Sequence, residues 1–165
     1  MKLRLLKLED APLMLEWMHD DSVVRDLKKD FASKSLEDCF IFIDLAQKTT
    51  DNLHLAIIDD KNTYMGTVSL KHITKLFAEF GIVIRKSAMG LGYSRYAMKK
   101  ILEIGFERYG LQKIFWCVSS NNIRALRFYD KYGYKQVIFP KEAKDFYTVE
   151  ECKQLIWYEV SANLE

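Results

Sequence analysis

The chain has 165 residues, enough for one domain with a single sizeable core and too few for two ordinary ones. It is 49% hydrophobic and 29% charged, a balance typical of globular proteins, and its net charge of only +2 argues against nucleic acid or an anionic membrane as partner. No apolar run approaches the roughly 20 residues that span a bilayer, and Cys39, Cys117 and Cys152 fit neither a disulfide framework nor a zinc pattern, so a cytoplasmic protein with free thiols and no metal is expected.

The opening "LRLLKL" (Leu3 to Leu8) reads as a strand. "EDAPLMLEWMHD" follows as a helix, with Asp10 placed to cap it and Pro12 in its first turn. "SLEDCFIFIDLAQ" is a second helix, opened by Ser35 and Asp38 in capping-box spacing. "LHLAIID" and "YMGTVSL" read as strands joined by a turn at Asp59-Asp60-Lys61-Asn62. "FAEFGIVI" (Phe77 to Ile84) is the next strand, and its nearly all-apolar second half predicts burial on both faces.

From Tyr93 to Tyr109 apolar residues recur at helical spacing, and Gly110 supplies a stop. "KIFWCVSS" is a strand, and "NNIRALRFYDKYGY" a short helix capped by Asn121 or Asn122 and ended by Gly133. "KQVIF" and "KQLIWYEV" close the sheet. The pattern predicts one α/β domain, a mixed, strongly twisted sheet with helices on both faces.

"SAMGLGYSRYA" (Ser87 to Ala97) places two glycines just before the long helix. A P-loop needs Gly-Lys-Ser/Thr at its end, and here Tyr93 and Ser94 follow Gly92. A dinucleotide fingerprint needs a small residue where Arg95 stands, and an acid after the next strand that is missing. What remains is a diphosphate held by successive N–H groups at a helix N-terminus, or a tight turn with no ligand.

About thirty residues later comes "VSSNNIRALRFYDKYGYKQV", which carries Asn122, Ala125, Tyr129, Lys131, Gly133 and Tyr134 in Asn-x-x-Ala-x-x-x-Tyr-x-Lys-x-Gly-aromatic order. Together with "GIVIRKSAMGLGYSRYAMKKILEIGF" it resembles the GNAT superfamily of acyl-CoA-dependent N-acetyltransferases, and the opening "LRLLKLEDAPLMLEWMHD" resembles its RimJ/RimL-like branch. The resemblance implies a single-domain GNAT-like fold with a mostly antiparallel sheet, and acetyl-CoA as co-substrate without a metal. By position, Ile82, Val83 and Ile84 would offer backbone groups to the pantetheine. Met89, Gly90, Leu91, Gly92, Tyr93 and Ser94 would hold the diphosphate. Asn122, with Ala125 beside it, would meet the pantetheine amide, and Tyr129 would lie beside the thioester sulfur. Met89 stands where the family usually has Arg or Gln. Arg124, Arg127 or Lys131 could supply a charge for a CoA phosphate.

Direct transfer to an amine needs a base, an oxyanion donor and an acid for the departing thiolate. Tyr129 is the acid by this resemblance, unless it is only a core aromatic. Some relatives place a glutamate where Cys117 stands here, and a buried thiol is the plainer reading of that residue. Strand alternation puts Glu79, Gly81 and Val83 on one face, so Glu79 is the candidate base, with a strand-end ion pair as its alternative. His72 is the second candidate. The acceptor cleft is expected between the first two helices and the C-terminal strands, where Trp17, His19, Asp20 and Asp21 lie unless Trp17 belongs to the core. "LEW" and "ITKLFAEFG" also resemble transferases acting on nucleotide-linked amino sugars. Protein N-terminal amines and polyamines remain open as acceptors, although a polyamine would want more clustered carboxylates. A GNAT-like module that binds acyl-CoA without turnover is the alternative. Monomer and homodimer are not separated by the sequence.

Overall fold

The computed structural model describes residues 1–163. Seven strands form one sheet: β1 (Lys2–Leu5), β2 (Leu53–Ile58), β3 (Tyr64–Lys71), β4 (Phe77–Ile84), β5 (Lys113–Val118), β6 (Gln136–Val137) and β7 (Ile156–Ser161), in the order β1-β2-β3-β4-β5-β7-β6. Every pairing is antiparallel except β4 with β5. The helices are α1 (Ala11–Met18), α2 (Asp21–Val24), α3 (Leu36–Ala46), α4 (Tyr93–Glu103), α5 (Ile123–Lys131) and α6 (Val149–Gln154). Both faces are covered, as expected.

One face carries α4 and α5 over a core that includes Leu70, Ala78, Phe80, Met98, Ile101 and Trp116. The opposite face is covered in two separate pieces. Helices α1 to α3 pack over the β1–β3 side through Met14, Trp17, Cys39 and Ile43. A C-terminal segment packs over the β5–β7 side through Ala143, Cys152, Trp157 and Phe115. Between these two cores runs a valley whose floor is β4. The same alternation that turns Phe80 toward α4 turns Glu79, Gly81 and Val83 into this valley.

The local signals mostly decide the elements. Ser35 and Asp38 form the predicted capping box of α3. Gly90, Gly92, Gly110 and Gly133 all take positive φ at the turns they end or open. Several expectations fail for physical reasons. Asp10 does not cap α1, because its carboxylate is held by the Arg4 guanidinium at 2.7 and 2.8 Å and by the Lys7 N–H. The first strand stops at Leu5, because Leu8–Asp10 coil into a 3-10 turn. The long helix changes to a π turn at Ile104–Arg108, which brings Gly105 onto Ile114, where a Cβ would come within 2.6 Å of the isoleucine side chain. "KQVIF" pairs only at Gln136–Val137, and α6 takes Lys153 and Gln154 from the predicted last strand. Thr148 and Glu151 form a capping box for α6, a signal present in the sequence.

The second half of β4 is also not doubly buried. Gly81, Ile82 and Val83 are half-exposed, because β4 pairs with β5 only over Phe77–Glu79 and Lys113–Phe115. Beyond Phe115 the strands part. β4 stays paired with β3 to Ile84 and β5 with β7 to Val118, so a wedge opens in the sheet with Glu79 and Phe115 at its apex.

Candidate active site

The wedge has unsatisfied backbone along it. The Arg85 N–H donates to Met65 O of β3 at 2.9 Å. The two-residue alternation of the ladder therefore turns the N–H and C=O groups of Val83 toward β3, and those of Ile82 and Ile84 toward the wedge. Of the three residues expected to offer backbone groups, Val83 is thus the exception, because its polar groups belong to the β3–β4 ladder.

At the wide end of the wedge lies the glycine loop. Among the described residues, the N–H groups of residues 90–95 make no hydrogen bond. Gly90 at φ +76° and Gly92 at φ +90° turn the chain so that these donors come in succession, and Gly92 opens α4. A run of orphan donors at a helix N-terminus is a site for a multiply charged anion. The helix dipole adds about 0.3–1 kcal/mol, so the N–H groups themselves carry most of the attraction. Met89 is the exception in the predicted set, since its N–H donates to Lys86 O at 3.2 Å within a 3-10 turn. Its thioether meets the Arg124 guanidinium, which also donates to Ser22 O at 3.2 Å. A guanidinium from α5 therefore stands at the position where Met89 brings no charge of its own.

Helix α5 borders the same wedge. The Asn122 side chain caps the helix, its Oδ1 accepting the Ala125 N–H at 3.2 Å. Tyr129 is 5% exposed, packed against Trp116 at 5.3 Å and Tyr158 at 4.9 Å between ring centroids. It is the buried aromatic of the pair, and Phe128 is the half-buried one. The Tyr129 hydroxyl makes no hydrogen bond among the described residues. Burial, then the neighbouring phenols of Tyr158 and Tyr134, pushes its pKa well above the ordinary tyrosine value. The side chain is a protonated phenol at neutral pH.

The valley holds the carboxylate. Glu79 is 2% exposed, and Tyr147 from the C-terminal segment donates its hydroxyl to Oε1. Lys71 Nζ stands 3.6 Å from the same oxygen. Oε2 is buried with no hydrogen-bond partner among the described residues, and His72 Nε2 lies 3.6 Å from it. Both base candidates therefore occupy one place. His72 stacks on Phe146 at 3.8 Å, and burial lowers its pKa despite the opposing pull of Glu79. Cys117, on the other side of the wedge, has its thiol pKa raised by burial and is no substitute carboxylate.

The predicted acceptor wall is elsewhere. Trp17 is a core residue, 3% exposed, its indole N–H donating to the Tyr64 hydroxyl at 3.0 Å. His19 Nε2 meets Lys34 O at 2.7 Å and anchors the loop before α3. Asp20 caps α2 through Ser22, and Asp21 is exposed. The residues that do meet Glu79 are Tyr147, Lys71 and His72, and Lys28 of the α2–α3 loop stands over the Tyr147 ring at 4.0 Å. Tyr147 sits in "KDFYTV", a stretch without strand periodicity, so only the capping box just after it pointed there.

The sheet thus splits between two parallel strands, with a glycine loop of unpaired N–H groups at the open end and a buried carboxylate at the apex. The chain belongs to the GNAT acetyltransferase family: the model of the acetyltransferase (GNAT) domain matches residues 1–135. The co-substrate of this family is acetyl-CoA. No curated protein sequence matches the chain. Similar solved structures include the spermidine N-acetyltransferase of Vibrio cholerae in complex with CoA and spermine, at 18% identity and a TM-score of 0.78 over 97% of this chain and 94% of that one. They also include a GNAT-family acetyltransferase of Bacillus anthracis, at 19% identity and a TM-score of 0.75 over 96% and 93%. The N-acetyltransferase PseH of Campylobacter jejuni in complex with acetyl coenzyme A aligns at 16% identity and a TM-score of 0.69 over 98% and 99%. Among the described residues no helix is long and apolar enough to cross a membrane.

Proposed function

We propose that the chain transfers the acetyl group of acetyl-CoA directly to a primary amine bound in the valley above Glu79. The diphosphate is held by the N–H groups of Gly90, Leu91, Gly92, Tyr93 and Ser94, with Arg124 beside them. The pantetheine adds as a short strand along Ile82 and Ile84 and passes Asn122 and Ala125. The thioester then lies at the apex, between Tyr129 on one side and Glu79 on the other. The amine donates a proton to Glu79 Oε2, directly or through a water, and attacks the thioester carbon. A backbone N–H of β4 stabilises the oxyanion, and Tyr129 returns a proton to the departing thiolate. The acceptor is a small-molecule or peptide amine; a nucleotide-linked amino sugar and a protein N-terminal amine, as in the RimJ/RimL-like branch, are the two named by sequence likeness.

The observation that carries this reading is the unpartnered Glu79 Oε2, a buried carboxylate oxygen at the point where β4 and β5 part. Such an oxygen costs about 1–3 kcal/mol when left without a donor, so it is kept for one that arrives. The test is CoA release with a panel of amines, comparing wild type with Glu79→Gln and Tyr129→Phe. Turnover lost in both variants while acetyl-CoA still raises the melting temperature supports the proposal. Stabilisation by acetyl-CoA without turnover of any amine, in wild type, turns the assignment to a non-catalytic acyl-CoA-binding module.

A further inference from the structure

The surroundings of Glu79 carry more positive charge than one amine acceptor calls for. Lys71 lies across the valley floor, over Gly81: a Cβ at Gly81 would sit 3.4 Å from Lys71 Cε and 3.6 Å from Nζ. Lys28 Nζ stands 4.0 Å above the ring of Tyr147, the residue that holds Glu79. Lys29 is lowered in pKa by burial first, then by repulsion from Lys71 and Lys34, against the pull of Glu79. Among the described residues, Lys29 and Lys34 make no ion pair, and Lys28 reaches Glu151 only at 4.0 Å. The Glu151 carboxylate is meanwhile engaged by the Thr148 N–H at 2.7 Å. Even His54, further along the same face, is held neutral by burial, Lys71 and Lys29. Three lysines, Lys28, Lys29 and Lys71, thus crowd a valley whose floor has one carboxylate, one oxygen of which has no hydrogen-bond partner among the described residues.

We propose that the acceptor is a primary amine borne on a phosphorylated small molecule, its amine at Glu79 and its phosphate groups among Lys28, Lys29 and Lys71. This rests on the acetyl-transfer reading and adds the class of acceptor. Two opposite charges on one ligand match the two opposite charges of the valley. A polyamine, positive at every nitrogen, meets three ammonium groups around its single carboxylate. Like charges at this separation cost several kcal/mol when water is excluded, which selects against it. The α2–α3 loop supplies two of the lysines, so its sequence sets acceptor choice while β4 keeps the chemistry.

The experiment compares glucosamine 6-phosphate with glucosamine, a UDP-linked amino sugar, and spermidine, by CoA release at low and high salt. The phosphorylated acceptors are expected to exceed glucosamine in kcat/KM by about tenfold or more, with an advantage that shrinks as salt rises. In a Lys28→Ala/Lys29→Ala double variant the ratio of phosphorylated to unphosphorylated kcat/KM falls about tenfold, the loss of roughly one charge-assisted contact. A preference for spermidine, or a ratio that the double variant leaves unchanged, overturns the proposal. A second arm does not need turnover: UDP, and separately inorganic pyrophosphate, titrated into CoA-saturated protein by calorimetry. Binding by wild type that the double variant loses supports the lysine site even if no amine is acetylated. No binding of either probe to wild type overturns it while leaving acetyl transfer untouched. If UDP binds and pyrophosphate does not, a nucleotide-linked acceptor is supported; if both bind alike, a simple sugar phosphate is.

Discussion

The Tyr147 hydroxyl donates to Glu79 Oε1, joining the C-terminal segment to the apex of the wedge across a sequence separation of 68 residues. One oxygen of the carboxylate is thereby fixed and the other left free. Tyr147 acts here as a positioning residue. Replacing it with Phe leaves Oε1 short of a donor in a buried place and is expected to destabilise the fold by about 1–3 kcal/mol, measured by urea unfolding. The pH profile of kcat/KM should move in Tyr147→Phe as well, which a residue that only fills space would not cause. On the proposed mechanism Glu79→Gln should lower kcat/KM by about a hundredfold in the CoA-release assay.

Tyr129→Phe separates the acid from the aromatic packing. The ring contacts with Trp116 and Tyr158 survive the change, and the hydroxyl has no partner to lose. Stability should therefore stay within about 0.5 kcal/mol of wild type. The rate of thiolate release should fall by about a hundredfold, the scale of one positioned proton donor, with KM for acetyl-CoA little changed. Steady-state kinetics beside a thermal melt distinguish this from a packing defect.

Gly90→Ala and Gly92→Ala probe the loop through its backbone alone. A Cβ at Gly90 meets nothing within 4 Å, so any effect comes from φ +76° and not from a clash. Holding an alanine in that region costs about 1–2 kcal/mol. If the loop relaxes to avoid the strain, the successive N–H groups no longer converge. Either variant should weaken acetyl-CoA binding by about tenfold or more in calorimetry, while leaving the affinity for an acceptor phosphate unchanged.

The glycine loop and the cap of α5 were legible because they are local. Gly90, Gly92, Asn122 and Tyr129 sit in two short segments whose turn chemistry and helix caps are readable residue by residue. Glu79 was also legible, since period-two alternation assigns its face whatever packs above it. The rest of the surroundings of Glu79 are tertiary: Tyr147 meets it, and Lys28 meets Tyr147, only because a C-terminal segment and the α2–α3 loop fold toward one valley, whereas Lys71 faces Glu79 across the β3–β4 ladder. Trp17 takes the core place that the sequence favoured for it, with Tyr64 accepting its N–H. The half-exposure of Gly81 to Val83 had no sequence signal, because it depends on β5 leaving β4 after Phe115.

The lysines that crowd the valley leave a mark on stability that can be read without substrate. His54, on β2, accepts or donates a hydrogen bond at Nδ1 with Ser69 Oγ at 2.6 Å, and Phe42 packs edge-on at 4.8 Å. Burial, then Lys71 and Lys29, lowers its pKa from the ordinary 6.5 to about 4. The folded state therefore disfavours the imidazolium, while the unfolded chain titrates near 6.5. Stability from this residue is fully present above pH 6.5 and is lost as pH falls through the window down to about 4. Between pH 7 and pH 5 the loss should be about 2 kcal/mol. In His54→Gln, which keeps a polar group opposite Ser69 but cannot ionise, urea midpoints should hold level over that interval. A Lys29→Ala variant in the wild-type background should raise the His54 pKa and shift the acid limb to lower stability loss, followed by NMR of the imidazole. An unchanged limb in His54→Gln over that interval would overturn the assignment, because Asp38 and Asp59, both lowered from 3.8 by backbone hydrogen bonds, keep their contribution until pH falls into the carboxylate range.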